Sequence, residues 1–287
     1  MSDRGRVGEG PRTSGVAVNS AVSSAMNSAM NSAEVRFLGV PVERHASLGS
    51  TNDEAFRRAD EGAREGLVIV AGAQTAGRGR QGRAWWDAPG ASLLFSILLR
   101  PTIPLAQCPL LALALACSVA DAGTEATGAT LTVKWPNDVL HDGRKLCGVL
   151  AESRVSGVPS SLRPAVVLGA GVNVSQAAED FPSELRERAT SLRIAGGGGG
   201  IALRTDDLLV MILARLEGYL SLAAGGDAAP LWREVTARLP KPGTEVALLT
   251  GGRRIEGVVE GVTEGGALRI QEKGRAEPTV VSAGEMV

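Results

Sequence analysis

Residues 74–86 read QTAGRGRQGRAWW. Arg78, Arg80 and Arg83 present planar forks suited to phosphate or carboxylate oxygens. Gly77, Gly79 and Gly82 between them let the backbone take positive φ and approach a ligand closely. Trp85 and Trp86 follow, in a chain with only four Trp, four Phe and one Tyr. An anion clamp, a solvated flexible loop and an RGG-like RNA segment all fit the loop taken alone. A phosphate loop of the G-x-x-x-x-G-K-[ST] type does not, because Arg83 and Ala84 stand where Lys and Ser/Thr belong.

Four further stretches carry polar groups that chemistry would use. GSTND (49–53) enters a helix. KWPNDVL (134–140) places Lys134, Asn137 and Asp138 at a turn that follows a strand. GRKLCGVLAE (143–152) opens an apolar strand with Lys145, which reads as a solvated edge residue; a nucleotidyl-lysine tetrad K-x-D-G is disfavoured, since Lys-Leu-Cys-Gly lacks the carboxylate. GAGVNV (169–174) is half of a dinucleotide fingerprint, with Val174 where the third glycine would stand. Its small residues fit close packing, and Asn173 is free to hydrogen-bond a base or a backbone group.

The elements that must hold these residues are legible from pattern. Thr51 and Glu54 have capping-box spacing for a helix that Gly62 can end. GLVIVA (66–71), ASLLFSILLR (91–100), LTVKW (131–135), KLCGVLAE (145–152) and AVVLGAGVNV (165–174) read as strands. A buried helix is expected over about 104–122. Another spans 205–223, capped by Thr205, with Leu209, Ile212, Leu213, Leu216 and Leu220 on one face. A short one covers 231–239. Beyond Pro242 short strands separated by TGG, TEGG and KGR turns suggest a small β-barrel. Residues 1–33, rich in Gly, Ser, Ala and Asn, are expected to be a disordered tail, and 195–200 (AGGGGG) a flexible insertion without an assigned role.

Composition narrows the function. The 287 residues are 44% hydrophobic and 21% charged, with net charge −1, so general affinity for nucleic acid or anionic lipid is not implied. No continuous apolar run reaches the ~18 residues of a membrane span, and no secretory h-region opens the sequence. Cys108, Cys117 and Cys147 form no C-x-x-C pair, and His45 and His141 do not cluster with them. A protein metal site or disulfide framework is therefore not expected, and a reducing, cytoplasmic setting is.

In this order and spacing, GSTND, QTAGRGRQGRAW, KWPND, GRKLCGVLAE and GAGVNV resemble the biotin protein ligases over roughly residues 45–240, and the β-rich end also fits. The resemblance implies an α/β (α+β) fold related to class II aminoacyl-tRNA synthetases, a mixed sheet with helices in residues 34–240, and an SH3-like β-barrel in 241–287. It implies a two-step reaction: biotin and MgATP give biotinyl-5′-adenylate, and biotin then passes to a lysine of a biotin carboxyl carrier domain of acyl-CoA carboxylases. Carried over, Ser50, Thr51, Asn52, Gln74, Arg78, Gly79, Arg80 and Lys145 bind biotin, with Lys145 and Arg80 catalytic. Arg78, Arg80, Arg83, Trp85, Lys134, Asn137, Asp138 and Asn173 face ATP or the adenylate, and Asp138 helps to hold Mg²⁺ or to orient a partner. Some relatives carry an N-terminal DNA-binding domain; residues 1–33 are too short and too poor in large apolar residues for one, so the ligase-only type and no DNA partner are expected, and no membrane partner is expected either. The rivals are a lipoate or octanoate ligase of related fold and an RNA-binding module.

Overall fold

The computed structural model describes residues 35–156, 163–198 and 204–287. The expected tail 1–33 lies outside them, as does part of the 195–200 stretch. The chain runs β1 (Arg36–Phe37), β2 (Val40–His45), α1 (Thr51–Asp60), β3 (Val68–Ala71), β4 (Ser92–Leu99), α2 (Pro109–Thr127), β5 (Thr132–Lys134), β6 (Asp138–His141), β7 (Arg144–Ser156) and β8 (Arg163–Asn173). Then follow α3 (Leu192–Ala195), α4 (Thr205–Ser221), α5 (Ala229–Thr236), β9 (Glu245–Thr250), β10 (Arg253–Val262), β11 (Leu268–Glu272), β12 (Thr279–Val281) and β13 (Glu285–Met286).

The first eight strands form one mixed sheet in the order β1-β2-β3-β4-β8-β7-β6-β5, antiparallel except for β2 beside β3. Its two faces follow from period-two alternation. On β4, Leu93, Phe95, Ile97 and Leu99 enter the large core with α2 and α4, while Leu98 packs on Ala55, Phe56 and Ala59 of α1. On β8, Val166, Leu168, Ala170 and Val172 take the first face and Ala165 and Val167 the second. Helix α1 covers only part of that second face. Ser96 lies under it, bonded to Thr51 and Asn52, and beyond it Gly169, Gly171 and Gly148 are left to floor a cavity.

Three helix expectations are corrected. The Thr51–Glu54 capping box does not form: Ser50 holds the cap position, Thr51 Oγ1 hydrogen-bonds Gln74 Oε1 at 3.1 Å, and Glu54 pairs with Arg57. Helix α2 starts at Pro109, after a 3-10 turn at Leu105–Gln107, and does not stop at 122. It runs through Gly123, whose bare Cα admits Leu131 and Leu192, and ends at Gly128 in the left-handed region. By length and composition α2 and α4 are both long and apolar enough to cross a membrane, yet α2 is 72% buried inside the molecule over its apolar window and reads as a core helix. Thr205 lies inside the first turn of α4, with Arg204 at the cap position and no side-chain cap bond.

The last five strands form a sheet in the order β12-β11-β10-β9-β13. The expected barrel is not closed, because the short edge strands β12 and β13 do not pair. This sheet is tied to the first. Trp135 Nε1 donates to Gly266 O at 2.9 Å, Trp232 Nε1 donates to Thr263 O at 2.8 Å, and Leu248, Ile255, Val259, Leu268 and Ile270 belong to the same apolar core as α2.

Candidate functional site

The open part of the sheet face becomes a cavity of about 480 Å³. All the residues singled out from the sequence line it: Ser50, Thr51, Asn52, Gln74, Arg78, Gly79, Arg80, Arg83, Trp85, Lys134, Asn137, Asp138, Lys145 and Asn173. They arrive from the N-terminus of α1, the loop after β3, the β5–β6 turn, the start of β7 and the end of β8.

Each arrival has a local cause. GAGVN is a strand, and alternation sends Ala170 and Val172 to the core and Gly169 and Gly171 to the cavity. Gly171 faces Gly148 across β7–β8, and the Trp85 indole lies on this pair. A Cβ on Gly171 would stand 2.3 Å from the Trp85 ring, and one on Gly169 would stand 2.2 Å from Asn52 Oδ1. The register of β6 against β7 shifts between Val139 and Leu140, so that Val139 faces Cys147 but Leu140 faces Lys145. This bulge leaves Leu146 and Cys147 both in the core and puts Lys145 on the cavity side with Gly148. Without it, strict alternation from Cys147 would send Lys145 inward. Burial pushes the Cys147 thiol well above its ordinary range, so it acts as packing.

Lys145 Nζ lies 2.7 Å from Asp138 Oδ1 and 5.7 Å from the Trp85 ring centre. Its main chain is fixed as well: Lys145 N–H donates to Arg188 O at 2.7 Å and Thr190 N–H to Lys145 O at 2.9 Å. The KWPND turn carries a cis Trp135–Pro136 bond. Asn137 Nδ2 donates to Val149 O, and Asn137 Oδ1 accepts from Arg80 Nη1 at 3.1 Å.

The arginine loop is folded back on itself. Gly79 N–H donates to Arg83 O at 2.7 Å and Trp85 N–H to Gly77 O at 3.0 Å. Gln81 and Gly82 turn it in the left-handed region, at φ of 58° and 72°. The three arginines differ in their partners. Arg78 meets Asp53 through both Nη atoms at 2.6 and 2.7 Å. Arg83 pairs with Glu285 at 2.9 Å. Among the described residues Arg80 contacts only neutral oxygens, Asn137 Oδ1 and Gly284 O at 3.3 Å, and burial lowers its pKa from the ordinary guanidinium value. It stays protonated at any working pH, so it brings to the cavity a positive charge that no carboxylate contacts directly, with Asp138 and Glu285 acting on it only through space.

Under α1 the polar groups form a chain. Gln74 Oε1 accepts from Thr51 N–H at 2.7 Å as well as from its hydroxyl. The Ser96 hydroxyl is shared between Thr51 Oγ1 and Asn52 Oδ1. At the far end Asn173 Nδ2 donates to Thr190 O at 2.9 Å, and its Oδ1 faces Gln176 Nε2 at 3.4 Å. Its amide is therefore spent largely on the protein. Leu185 and Ala189 line the cavity near Trp86 and Phe181, whose rings are 5.4 Å apart.

Residues 46–173 match the Biotin/lipoate A/B protein ligase family. The chain is 35% identical over 248 residues to the biotin–[acetyl-CoA-carboxylase] ligase of Mycobacterium tuberculosis, covering 84% of this chain and 86% of that one. This chain belongs to the biotin protein ligase family. It is also 40% identical over 171 residues to the bifunctional ligase/repressor BirA of Bacillus subtilis, covering 58% of this chain but only 52% of that protein. The chain thus matches about half the length of that relative. Its fold is similar to the biotin protein ligase of Aquifex aeolicus solved with biotin and ATP, with a TM-score of 0.68 and 28% identity over 86% of this chain and 97% of that one.

Several residues of this ligase-family chain that line the cavity or contact the arginine loop escaped the sequence reading. Glu152 follows Gly148 and Leu150 at period two along β7, and that alternation was the signal for it. Asp53 adjoins a motif residue on a helix start. Phe181, Leu185 and Arg188 belong to no pattern, and Gly284 and Glu285 come from the far end of the chain.

Proposed function

We propose that the chain activates biotin with ATP and transfers it to a protein lysine. The biotin carboxylate oxygen attacks the α-phosphorus and pyrophosphate leaves, giving biotinyl-5′-adenylate. The amine of a lysine on a biotin carboxyl carrier domain then attacks the acyl carbon, AMP leaves, and the amine loses a proton. The observation that carries this reading is the pairing of Lys145 and Arg80 over a glycine floor: two cations at the edge of a half-apolar cavity, one of them without a direct carboxylate partner among the described residues.

Attack by a carboxylate on a phosphate brings anions together, and fixed cations stabilise the charge that builds. Lys145 is assigned to the reacting carboxyl and phosphate oxygens, with Asp138 holding its ammonium. Arg80 and Lys134 face the phosphates. Ser50, Thr51, Asn52 and Gln74 offer donors and acceptors suited to a ureido ring, and Trp85 a flat surface for adenine. Among the described residues no group of three or more His, Cys, Asp or Glu converges. Magnesium would fit as an ion carried by the ATP phosphates, with Asp138 assigned to help hold it among the carboxylates that line the cavity. The three buried free thiols suit a reducing compartment, in keeping with a cytoplasmic enzyme.

The test is carboxylate-dependent ATP–pyrophosphate exchange with biotin, lipoate, octanoate or no acid. Exchange with biotin alone is expected. Exchange with lipoate or octanoate instead overturns the pocket assignment. Lys145→Ala is expected to lower the biotin-dependent rate about 100-fold or more with an unchanged melting temperature. Near-normal exchange by that variant removes Lys145 from the chemistry.

A further inference from the structure

The two arginines of the RGR triplet stand two residues apart and differ in their direct partners, although Asp138 and Glu285 act on Arg80 through space. Among the described residues Arg80 touches only neutral oxygens. Arg78 is enclosed by carboxylates: Asp53 takes both of its Nη atoms, and Glu152 Oε2 lies 3.6 Å from Nη2. A guanidinium that already serves two carboxylates has little left for a substrate anion. Glu152 has a second partner. Its Oε2 accepts from Asn52 Nδ2 at 2.7 Å, and the other end of that amide, Oδ1, takes the Ser96 hydroxyl at 2.6 Å. Asn52 is only 4% exposed and lies over the bare Cα of Gly169 in the cavity floor. One carboxylate therefore joins the floor under α1 to the first arginine of the loop that closes over it.

We infer that Glu152 and Asp53 are positioning residues that hold the arginine loop through Arg78, and that Glu152 also sets the Asn52 amide in the cavity floor, leaving Arg80 as the arginine that meets the substrate anion. This inference rests on the ligase reading for its effect on substrate, and on the geometry alone for the anchoring of the loop. The chemistry asks for such a division. A loop with every arginine uncompensated would repel itself around an empty cavity. A loop with every arginine paired would offer no charge to the phosphate.

Two variants separate the roles. Glu152→Gln keeps an oxygen that can accept from Asn52 but removes the charge facing Arg78. Asp53→Asn removes the bidentate partner. In the ligand-free full chain, hydrogen exchange of the amides of residues 77–85 is expected to speed up about fivefold or more in both variants, with the melting temperature unchanged. The KM for biotin is expected to rise about tenfold with kcat within about twofold, the pattern of lost uniform binding. Glu152→Asp, which keeps the charge, is expected to recover part of the KM. Loop exchange or KM within twofold of the unaltered chain in both variants overturns the proposal. If the unaltered chain shows no biotin-dependent exchange of pyrophosphate, the ligase reading fails, and the hydrogen-exchange comparison alone decides the anchor.

Discussion

Asp87 follows the tryptophan pair and is partly buried. Burial raises its carboxyl pKa above the ordinary value, against the opposing hydrogen bond from the Gln74 backbone. The sign of its effect on stability follows. Between the unfolded value of 3.8 and the higher folded one, the native state holds the proton more than the unfolded state does. Stability is therefore lost as pH rises through that window and stays lower above it. Asp87→Asn is expected to melt at the same temperature as the unaltered chain below about pH 4 and higher near neutrality, in thermal melts across that range. A variant less stable than the unaltered chain at neutral pH shows that the charge has a partner outside the protein's own hydrogen bonds. At this scale the sequence was most readable where residue types were unusual: RGR, KWPND and Lys145 all reach one cavity. What it did not carry was which arginine is neutralised, since Asp53 is 25 residues and Glu152 74 residues from Arg78 along the chain.

Elements decide where those side chains point. The alternation of β8 accounts for GAGVN without any nucleotide turn, because glycines at every second position clear one face of a strand. The bulge in β7 accounts for a lysine that leaves an apolar strand toward the cavity. β3, β4, β5, β7 and β8 were legible as short apolar runs rich in β-branched residues and bounded by turns, whereas β1, β2 and β6 were not. The bulge was not, since it arises from pairing with β6 rather than from any residue in β7. Nor was the true end of α2, where Gly123 serves packing and Gly128 stops the helix. The close approach of Trp85 to the floor gives an element-scale prediction. Gly171→Ala places a methyl 2.3 Å from the indole, and the ring must leave its seat. Overpacking of this kind costs about 1–3 kcal/mol where nothing yields, and less where a loop can lift. Intrinsic fluorescence is expected to shift to the red as the indole meets water. The same substitution in a Trp85→Phe background is expected to give no shift. An equal shift in both backgrounds assigns it to another tryptophan.

At the scale of the molecule the last residues of the chain reach the first motif. Glu285 pairs with Arg83, Gly284 O accepts from Arg80, and both belong to the β13 end of the second sheet. Nothing local in the sequence marks these contacts, because they depend on how the two sheets dock. The change of character after Pro242 was visible, but the indole hydrogen bonds from Trp135 and Trp232 and the shared apolar core were not. Those features argue against independent melting. Side chains of β9, β10 and β11 join the apolar core that also holds α2, and separating the sheets would expose apolar surface on both sides at about 25 cal/mol per Å². A single cooperative transition is therefore expected in calorimetry, with calorimetric and van't Hoff enthalpies equal. Trp135→Phe leaves the Gly266 carbonyl without its donor and is expected to lower the midpoint of that single transition, at a cost of about 1–3 kcal/mol. Two separated transitions, the smaller one moved by Trp135→Phe and the larger one not, would mean that the second sheet folds by itself and meets the arginine loop only as a neighbour.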